Sequence, residues 1–493
     1  MGEKALIIGA GFSGLSCAIG LAVRGYEVTV LERQPFAGGK LQRVIIDGYR
    51  FDRGPTTIEM AHVFQSLFRL AGRELDDYVR LIPLEPRSRS VFADGSVVDL
   101  TGNVEHMQHQ IGTYSPEDAL HYPAFIQESR RMLRYANEHV LNRLPMNLMD
   151  KFRPLAFMGS LAPALHRSLH RQLRRHFTHP NTLAMFGRYA ARTGSSPYKV
   201  SSLYGMLASS EADQGIHLVQ GGTYELIVAM EKLARELGVA IETGVEVSRI
   251  RIVDRKVRGV ETSIGDFESP LVVVNGDALS ASRKLLDEKD RPSLTNHTIS
   301  SFEPSLSAFV QLAGVPERLD RLHHHTVFFS ENYEEEFQDI FVRRRPPVRP
   351  SVYICNSSYS EKEAAPPGCS NLFIMTHTPY LSAKWDWERE GEAYAENVFA
   401  ALRRYGLNQL NRSHELARYT PEDVERDTYS YRGNMFGITS HNLRQNLRRP
   451  ESRSRDIRGL WYAGGTTHPG GGVPFVALSG QLVAEHIAGS RTK

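Results

Sequence analysis

Apolar and polar positions at the start of the chain follow the order that a strand, a helix and a second strand require. Residues 4–8 form a short apolar run, which is typical of a strand buried on both faces. A glycine-rich turn comes next, and a helical pattern then runs through residues 15–21. A second apolar run at 26–31 ends at Glu32. The pattern predicts a βαβ unit within about thirty residues.

The hydrophobic pattern in the middle of the chain is less regular. Residues 89–92 and 97–100 have strand character, and the Asp94-Gly95 pair between them is a hairpin signal. Ser-Pro followed by two acidic residues at 115–118 is a strong helix start. From there to about residue 209 the pattern predicts mainly helix.

Strand patterns return in the second half of the chain. The predicted elements are a helix at 225–237, strands at 239–242, 245–252, 256–262, 271–275 and 459–463, and a closing helix at 475–487. Elements typical of a nucleotide-binding sheet therefore occur at both ends and near 220–275. The organisation is predicted to be discontinuous, with other segments inserted between these elements.

Composition narrows the class of protein. The 493 residues hold 59 Lys and Arg against 56 Asp and Glu, so no nucleic-acid partner is expected. Three cysteines without CxxC spacing provide no disulfide framework, which fits a reducing cytosol. Mean hydropathy is −0.34, and no apolar run reaches the roughly 18–20 residues of a spanning helix. A secreted disulfide scaffold and an integral membrane bundle are both excluded.

The first turn carries a dinucleotide-binding fingerprint at Gly9, Gly11 and Gly14. Glycines here permit a tight turn, a close backbone approach to a pyrophosphate and close helix–strand packing. The helix that follows offers free N–H groups and partial positive charge to phosphates. Glu32, at the end of the second strand, is placed to accept hydrogen bonds from ribose hydroxyls.

The residues after Glu32 favour FAD over NAD. A turn containing Gly39 and Lys40 can bring backbone and a cation near a diphosphate and a flavin. The turn-rich stretch that includes Arg53 and Gly54 suits close passage beside a flat ring. A simple NAD dehydrogenase would instead continue into another regular βαβ crossover.

A second glycine-rich turn lies near the C-terminus, between the last predicted strand and the closing helix. Its N–H groups suit a pyrophosphate, or a flavin edge that gains negative charge on reduction. We take the residues of this turn that would face the cofactor to be Gly465, Gly471, Gly472 and Val473. His468 in the same turn is a candidate proton shuttle, and the alternative is that it fixes the turn by hydrogen bonds.

Four segments carry a resemblance to a known family: residues 51–55, 219–224, 245–250 and 467–474. Together with the opening unit, they resemble the carotenoid desaturase and oxygenase family of the bacterial phytoene desaturase type. That family lies within the flavin amine-oxidase-like superfamily. The resemblance implies FAD as cofactor, and it implies that Val247 contacts the adenine through its backbone. Many flavoprotein relatives have Gly-Asp where Gly464-Gly465 stands here, so the ribityl contact of that Asp is not expected.

The resemblance also implies an architecture. It predicts an α/β fold with a Rossmann-like FAD-binding domain, a discontinuous α+β substrate domain and a helical membrane-contacting region. The expected boundaries are 1–90, 220–300 and 415–493 for the FAD-binding domain, 91–114 and 301–414 for the substrate domain, and 115–219 for the helical region. A long hydrophobic polyene is the implied substrate. No acid–base residue is firmly established for the family, so the catalytic residue is unknown.

Two activities compete within the family. Oxygenases oxidise terminal methyl groups of acyclic carotenoids, commonly C30 ones, to aldehydes, whereas desaturases remove hydrogens along the chain. Residues 328–332, 431–437 and 470–481 resemble the diaponeurosporene and diapolycopene oxygenase branch more closely. A flavin amine oxidase and a non-catalytic member of the fold, such as a chaperone for lipidated proteins, remain alternatives.

Two further patterns concern a metal and a membrane. His323, His324 and His325 are consecutive and are expected to point in different directions, so no metal site is predicted. Residues 154–165 are largely apolar and a basic stretch follows at 166–176, which suits a helix lying on an anionic bilayer. A core helix followed by a solvated basic helix is the alternative. A cytoplasmic location at the inner face of the cell membrane is expected, with no prediction of oligomeric state.

Overall fold

The structure is a computed structural model that describes residues 2–157, 159, 166–441 and 443–489. The predicted membrane-contact stretch 154–165 therefore lies largely outside the described residues. Short 3₁₀ and π turns lie between several of the helices and strands.

The strands are β1 Lys4–Ile8, β2 Glu27–Glu32, β3 Gln42–Ile46, β4 Tyr49–Arg53, β5 Ile58–Glu59, β6 Leu81–Pro83, β7 Ser88–Val91, β8 Val97–Leu100, β9 Ile216–Val219, β10 Ala240–Thr243, β11 Val247–Val253, β12 Lys256–Thr262, β13 Gly265–Glu268, β14 Val272–Asn275, β15 Ser307–Val315, β16 His325–Phe328, β17 Val352–Cys355, β18 Ser370–Thr378, β19 His414–Tyr419 and β20 Leu460–Ala463. The helices are α1 Phe12–Ala22, α2 His62–Leu70, α3 Val104–Gly112, α4 Pro116–Ala136, α5 Leu148–Phe152, α6 Leu169–Leu173, α7 Pro180–Ala191, α8 Met206–Gln214, α9 Tyr224–Glu236, α10 Ala278–Leu285, α11 Asn296–Ser300, α12 Tyr333–Gln338, α13 Ser357–Ser360, α14 Trp387–Arg404, α15 Pro421–Thr428, α16 Leu443–Arg448 and α17 Val473–Gly489.

A five-stranded parallel sheet holds the two ends of the chain together. Its strand order is β10-β2-β1-β14-β20, so strands from the N-terminus, the middle and the C-terminus are neighbours. Its central strands are apolar because helices or a second layer cover both faces. The predicted βαβ unit and the discontinuous nucleotide-binding sheet are confirmed.

Helices α1 and α17 pack against each other with their backbones in close approach. A Cβ on Gly480 would lie 2.1 Å from the Ser13 carbonyl oxygen, and one on Gly20 would lie 2.8 Å from the Ala484 Cβ. Only glycine permits this separation at these positions. The contact joins the N-terminal turn to the C-terminal helix.

A seven-stranded sheet forms the second layer, in the order β19-β15-β18-β17-β16-β7-β8. The predicted hairpin is present as β7 and β8, with Ser90 opposite Val98. The expected domain boundaries at 90/91 and 414/415 run through strands β7 and β19, both of which belong to this sheet. Sheet pairing decides where a strand belongs and the local pattern does not show it, and the domain division itself stays a prediction.

The helical region follows β8 of the seven-stranded sheet and precedes β10 of the five-stranded sheet along the chain. Helix α4 begins at the predicted place, where the Ser115 side chain accepts a hydrogen bond from the Asp118 N–H. Among the described helices, none has both the length and the apolar character needed to cross a membrane.

Candidate active site

One large cavity, of about 490 Å³, is lined by both sheets. Part of its wall lies at the carboxyl ends of the parallel strands, where it is lined by Ile8, Glu32 and Asn275. Ligands of open α/β sheets bind at this edge. Tyr353 and Phe373 line it from the seven-stranded sheet. The cavity therefore runs from the nucleotide-binding edge of one sheet to the face of the other.

The turn after β1 is shaped by glycines that the surrounding backbone leaves no room to replace. Gly9 has φ of +100°, and a Cβ there would lie 2.4 Å from the Asn275 carbonyl oxygen. A Cβ on Gly14 would lie 2.1 Å from the Gly9 carbonyl oxygen. Gly9, Gly11 and Gly39 line the cavity, whereas Gly14 faces the turn itself.

Two polar side chains stand close to this turn. The buried Glu32 carboxylate accepts hydrogen bonds from the N–H groups of Ala10 and Gln34, each with an N···O distance of 2.8 Å. The Ser13 hydroxyl is buried in the first turn of α1 and lines the cavity. Among the described residues it has no hydrogen-bond partner. Sequence reasoning missed Ser13, although its position immediately before the third fingerprint glycine was a usable signal.

Lys40 follows Gly39 and also lines the cavity. Its ammonium donates to the carbonyl oxygens of Asn434 and Met435, over 2.8 and 2.9 Å. Burial lowers the pKa of Lys40 to about 8, and the Asp277 carboxylate opposes this effect. The cation is held at the cavity wall by backbone carbonyls.

The C-terminal glycine turn closes the same cavity. Gly465, Gly471, Gly472 and Val473 all line it. A Cβ on Gly471 would lie 2.3 Å from the Phe436 carbonyl oxygen, so this turn packs backbone against backbone. The structure thereby brings the N-terminal and C-terminal glycine turns to one site.

Of the predicted cofactor residues, eleven line the cavity: Gly9, Gly11, Glu32, Gly39, Lys40, Gly54, Val247, Gly465, Gly471, Gly472 and Val473. The structure places Arg53 differently. Its guanidinium donates to Asp427 over 2.8 Å and to Gln42, and it lies 4.3 Å from the centre of the Tyr419 ring. Arg53 is therefore held behind Asp427, which itself lines the cavity, and the expectation that Arg53 faces the diphosphate or flavin stays a prediction.

His468 lies outside the lining of the cavity. Its Nε2–H donates to the Val140 carbonyl oxygen over 2.9 Å. Burial lowers the pKa of His468 to about 4. An uncharged imidazole that bonds a backbone carbonyl fits the alternative in which the residue fixes the turn.

The inner part of the cavity has a charged wall that sequence reasoning missed. Arg192, just after α7, pairs with both Glu59 and Glu211. Arg87 lies 3.6 Å from Glu211. Burial opposes ionisation of Glu211, yet Arg192 and Arg87 together hold its pKa below the ordinary value. A fifth residue of this wall, Arg188, has no carboxylate partner among the described residues.

The face of the seven-stranded sheet forms the rest of the inner cavity. Phe373, Met375 and His377 alternate along β18 and line it, as side chains two residues apart share a face. Tyr353 lies beside them, because it pairs with Met375 across β17 and β18. Burial lowers the pKa of His377 to about 3, so its imidazole is uncharged at neutral pH. This wall is mainly apolar and aromatic.

The consecutive histidines were expected to point in different directions, but two of them have neighbouring rings. The rings of His324 and His325 lie 4.8 Å apart between centroids. Together with Cys355, their ligand atoms lie within 4.8 Å of one another. Burial lowers the pKa of both imidazoles. The expectation of no metal site stays a prediction.

Comparison with known proteins covers the whole chain. The model of the family "Flavin containing amine oxidoreductase" matches residues 12–488. A 4,4'-diapolycopene oxygenase of Methylomonas sp is 33% identical over 492 residues, covering 98% of each chain. A 4,4'-diaponeurosporene oxygenase of Staphylococcus aureus is 30% identical over 499 residues, covering 100% of this chain and 99% of its own.

Solved structures share the fold at low sequence identity. An oxidoreductase from Methanosarcina mazei matches with a TM-score of 0.66 at 16% identity, over 98% of this chain and 100% of its own. Putrescine oxidase bound to putrescine matches with a TM-score of 0.63 at 15% identity, over 100% of this chain and 99% of its own. These likenesses establish the flavin amine-oxidase architecture.

The full-length similarity indicates the same flavin cofactor as the two glycine turns and the acidic residue at the end of β2. FAD is the cofactor, and the protein is an FAD-dependent oxidoreductase. The chain belongs to the flavin containing amine oxidoreductase family and, within it, to the carotenoid desaturase and oxygenase family.

Proposed function

We propose that this protein oxidises the terminal methyl groups of an acyclic C30 carotenoid to aldehydes. The observation that carries the proposal is the similarity over nearly the full chain to two oxygenases whose names specify diapolycopene and diaponeurosporene. The cavity supports it, since the part of its inner wall formed by β17 and β18 is mainly aromatic and apolar. Such a wall suits an elongated hydrocarbon.

The chain's own residues would hold and orient the cofactor. Gly9, Gly11 and Gly39 leave the backbone open to the diphosphate, and Ser13 offers its unpartnered hydroxyl. The Glu32 carboxylate would accept hydrogen bonds from the ribose hydroxyls. Lys40 adds a cation at the same wall. When bound, FAD would supply the capacity to accept two electrons as a hydride from carbon. Conversion of one methyl group to an aldehyde removes four electrons and adds one oxygen atom, so the proposed reaction takes dioxygen as co-substrate and releases one water for each aldehyde formed.

The C-terminal turn would serve the flavin end. Gly465, Gly471, Gly472 and Val473 present backbone close to the cavity, where N–H groups stabilise negative charge that develops on reduction. Gly54, which packs against the Lys40 backbone, and Val247 also line the cavity, and Val247 is proposed to contact the adenine. The inner wall then excludes water from the reacting end of the polyene.

The experiment is expression in a host that accumulates the acyclic C30 hydrocarbon, followed by mass analysis of the pigments. The expected product gains one oxygen and loses two hydrogens at each oxidised end. Loss of hydrogen pairs without oxygen would establish a desaturase instead. Unaltered pigment, with FAD bound to the purified protein, would overturn both. A Gly9→Val variant, which cannot form the turn, is the negative control.

We also propose that the protein binds the inner face of the cell membrane through the helical region. Met149, Phe152 and Phe157 are 82%, 41% and 50% exposed. Arg171 and Arg174 are exposed nearby in sequence. Apolar side chains bordered by cations suit the surface of an anionic bilayer.

Co-sedimentation with vesicles of anionic lipid tests the membrane proposal. The double variant Phe152→Asp with Phe157→Asp should lose binding, since each carboxylate would have to enter the interface. Ile264→Asp is the matched control, because Ile264 is 64% exposed in a turn of the β11-β12-β13 sheet. Equal binding of all three proteins would contradict the proposal.

A further inference from the structure

Two arginines one helical turn apart line the inner cavity, and their surroundings differ. Arg192 is neutralised by Glu59 and Glu211. Arg188, in the last turn of α7, is half-buried and also lines the cavity. Among the described residues, no carboxylate pairs with it. Its guanidinium lies 5.4 Å from the centre of the Tyr353 ring.

The charges of the inner wall do not cancel. Three arginines, at 87, 188 and 192, face two glutamates, at 59 and 211. The histidines of the wall add no charge at neutral pH, since burial lowers the pKa of His325 and His377. Within the part of this wall that the structure describes, one positive charge is left over, and it belongs to Arg188. An unpaired cation in a largely apolar cavity is costly unless a ligand pairs with it.

A second polar group beside Arg188 also lacks a partner. His325 is 7% exposed and lines the same cavity. Its Nε2 has no hydrogen-bond partner among the described residues. Its Nδ1 lies 3.4 Å from the Tyr353 hydroxyl, which is 2.7 Å from the Thr56 hydroxyl. Tyr353 therefore lies beside both residues, with its hydroxyl near His325 Nδ1 and its ring near the Arg188 guanidinium.

A hydrocarbon offers nothing to these groups. The rest of the wall consists of side chains such as Phe329, Phe373 and Met375, so the ligand that fits is mostly apolar and has one polar end. A guanidinium is donor-only and prefers oxygen acceptors, and buried polar groups discriminate strongly against ligands that leave them unpaired.

We propose that Arg188 and His325 form a subsite for the oxygen atom at the oxidised end of a polyene. The inference rests on the proposed function and extends its substrate class to polyenes that already carry a terminal hydroxyl or aldehyde. Binding through this oxygen would keep the end group in the cavity between successive oxidations. The proposal concerns binding and adds no chemical step.

The test measures binding to the FAD-loaded protein in detergent micelles. Three probes are compared: the acyclic C30 hydrocarbon, its terminal alcohol and its terminal aldehyde. Quenching of protein fluorescence reports each Kd. The wild type should bind the aldehyde at least about tenfold more tightly than the hydrocarbon, as expected for a hydrogen bond to a charged group. Arg188→Met should lose this preference while hydrocarbon binding stays within about twofold.

Further variants keep the result interpretable. Arg188→Lys keeps the charge without the planar fork and should retain part of the preference. Arg404→Met is the matched control, because Arg404 is exposed in the last turn of α14 and should leave all three Kd values unchanged. FAD content and thermal unfolding verify that each variant is folded. Should Arg188→Met fail to fold, the comparison of Arg188→Lys with the wild type decides.

Each remaining outcome is informative. If Arg188→Met weakens the binding of all three probes equally, or leaves the preference for the aldehyde unchanged, the proposed subsite is overturned. A shift of the flavin midpoint potential in Arg188→Met with an unchanged preference would also overturn it and assign Arg188 to the reduced flavin. If the wild type binds none of the probes, the proposed function fails. If it binds the hydrocarbon without preferring the aldehyde, the subsite alone fails.

Discussion

The carboxylate of Glu32 accepts a hydrogen bond from the backbone N–H of Ala10 over 2.8 Å. This contact ties the end of β2 to the turn after β1. The second carboxylate oxygen holds the Gln34 N–H at the same distance. One buried side chain therefore shapes the turn and also stands at the wall of the cavity.

Glu32→Gln should weaken FAD binding by about tenfold. An amide keeps the size of the side chain but replaces a charged acceptor with a neutral one, and charge-assisted hydrogen bonds are roughly twice as strong as neutral ones. Reconstitution of the apoprotein, followed by quenching of flavin fluorescence, measures the Kd. Glu27→Gln, at the exposed start of β2, is the control. An unchanged Kd in Glu32→Gln would refute a role in cofactor binding.

Gly480→Ala should destabilise the protein by about 1–3 kcal/mol, the usual cost of overpacking. The added methyl would lie 2.1 Å from the Ser13 carbonyl oxygen, so helices α1 and α17 must separate. Urea unfolding measures the free energy of unfolding. Gly391→Ala is the control, because its Cβ would meet Trp387 at an ordinary 3.8 Å and alanine favours the helix. Equal stability of the two variants would show that the helices tolerate the separation.

The stability of the protein should fall as pH rises from about 4.5 to about 7, through Glu336. Burial raises the pKa of Glu336 from 4.5 to about 7, against hydrogen bonds from Ser330 and Ser351. Between these values the folded state binds more protons than the unfolded chain, so ionisation favours unfolding. Above pH 7 both states are ionised and this contribution is constant.

Glu336→Gln removes that dependence. Relative to the wild type, the variant should gain about 2–3 kcal/mol between pH 5 and pH 8, at about 1.4 kcal/mol per unit of pKa shift. Thermal unfolding at both pH values measures the change. Glu334→Gln alters an exposed carboxyl of the same helix and should show no such gain. A parallel pH dependence in Glu336→Gln and the wild type would contradict the prediction.

His468→Asn should leave the shape of the pH–rate profile between pH 6 and 9 unchanged. Burial lowers the pKa of His468 to about 4, so the imidazole does not titrate in that range. Loss of its hydrogen bond to Val140 should reduce stability by about 1 kcal/mol. The profile of kcat/KM and thermal unfolding check the two expectations, with His414→Asn on the surface as control. Disappearance of a limb near pH 6.5 in His468→Asn alone would establish the proton shuttle.

Local patterns predicted those parts of the fold whose causes are local. The βαβ unit depends on short apolar runs and a glycine turn, the hairpin on Asp94-Gly95, and the start of α4 on the cap at Ser115. Domain boundaries were not predictable in this way. Strands β7 and β19 join the second sheet through pairing with β16 and β15, which are distant in sequence.

The sequence by itself determined the cofactor side of this protein, because a phosphate-binding turn, its helix and its acidic partner are contiguous and require particular residue types. Only the tertiary structure decided the substrate side. Arg192 and Glu59 are 133 residues apart, and their pairing leaves Arg188 without a carboxylate partner among the described residues of the inner wall. The partner of each charged side chain depends on how helices pack against a sheet, and no local spacing specifies that packing.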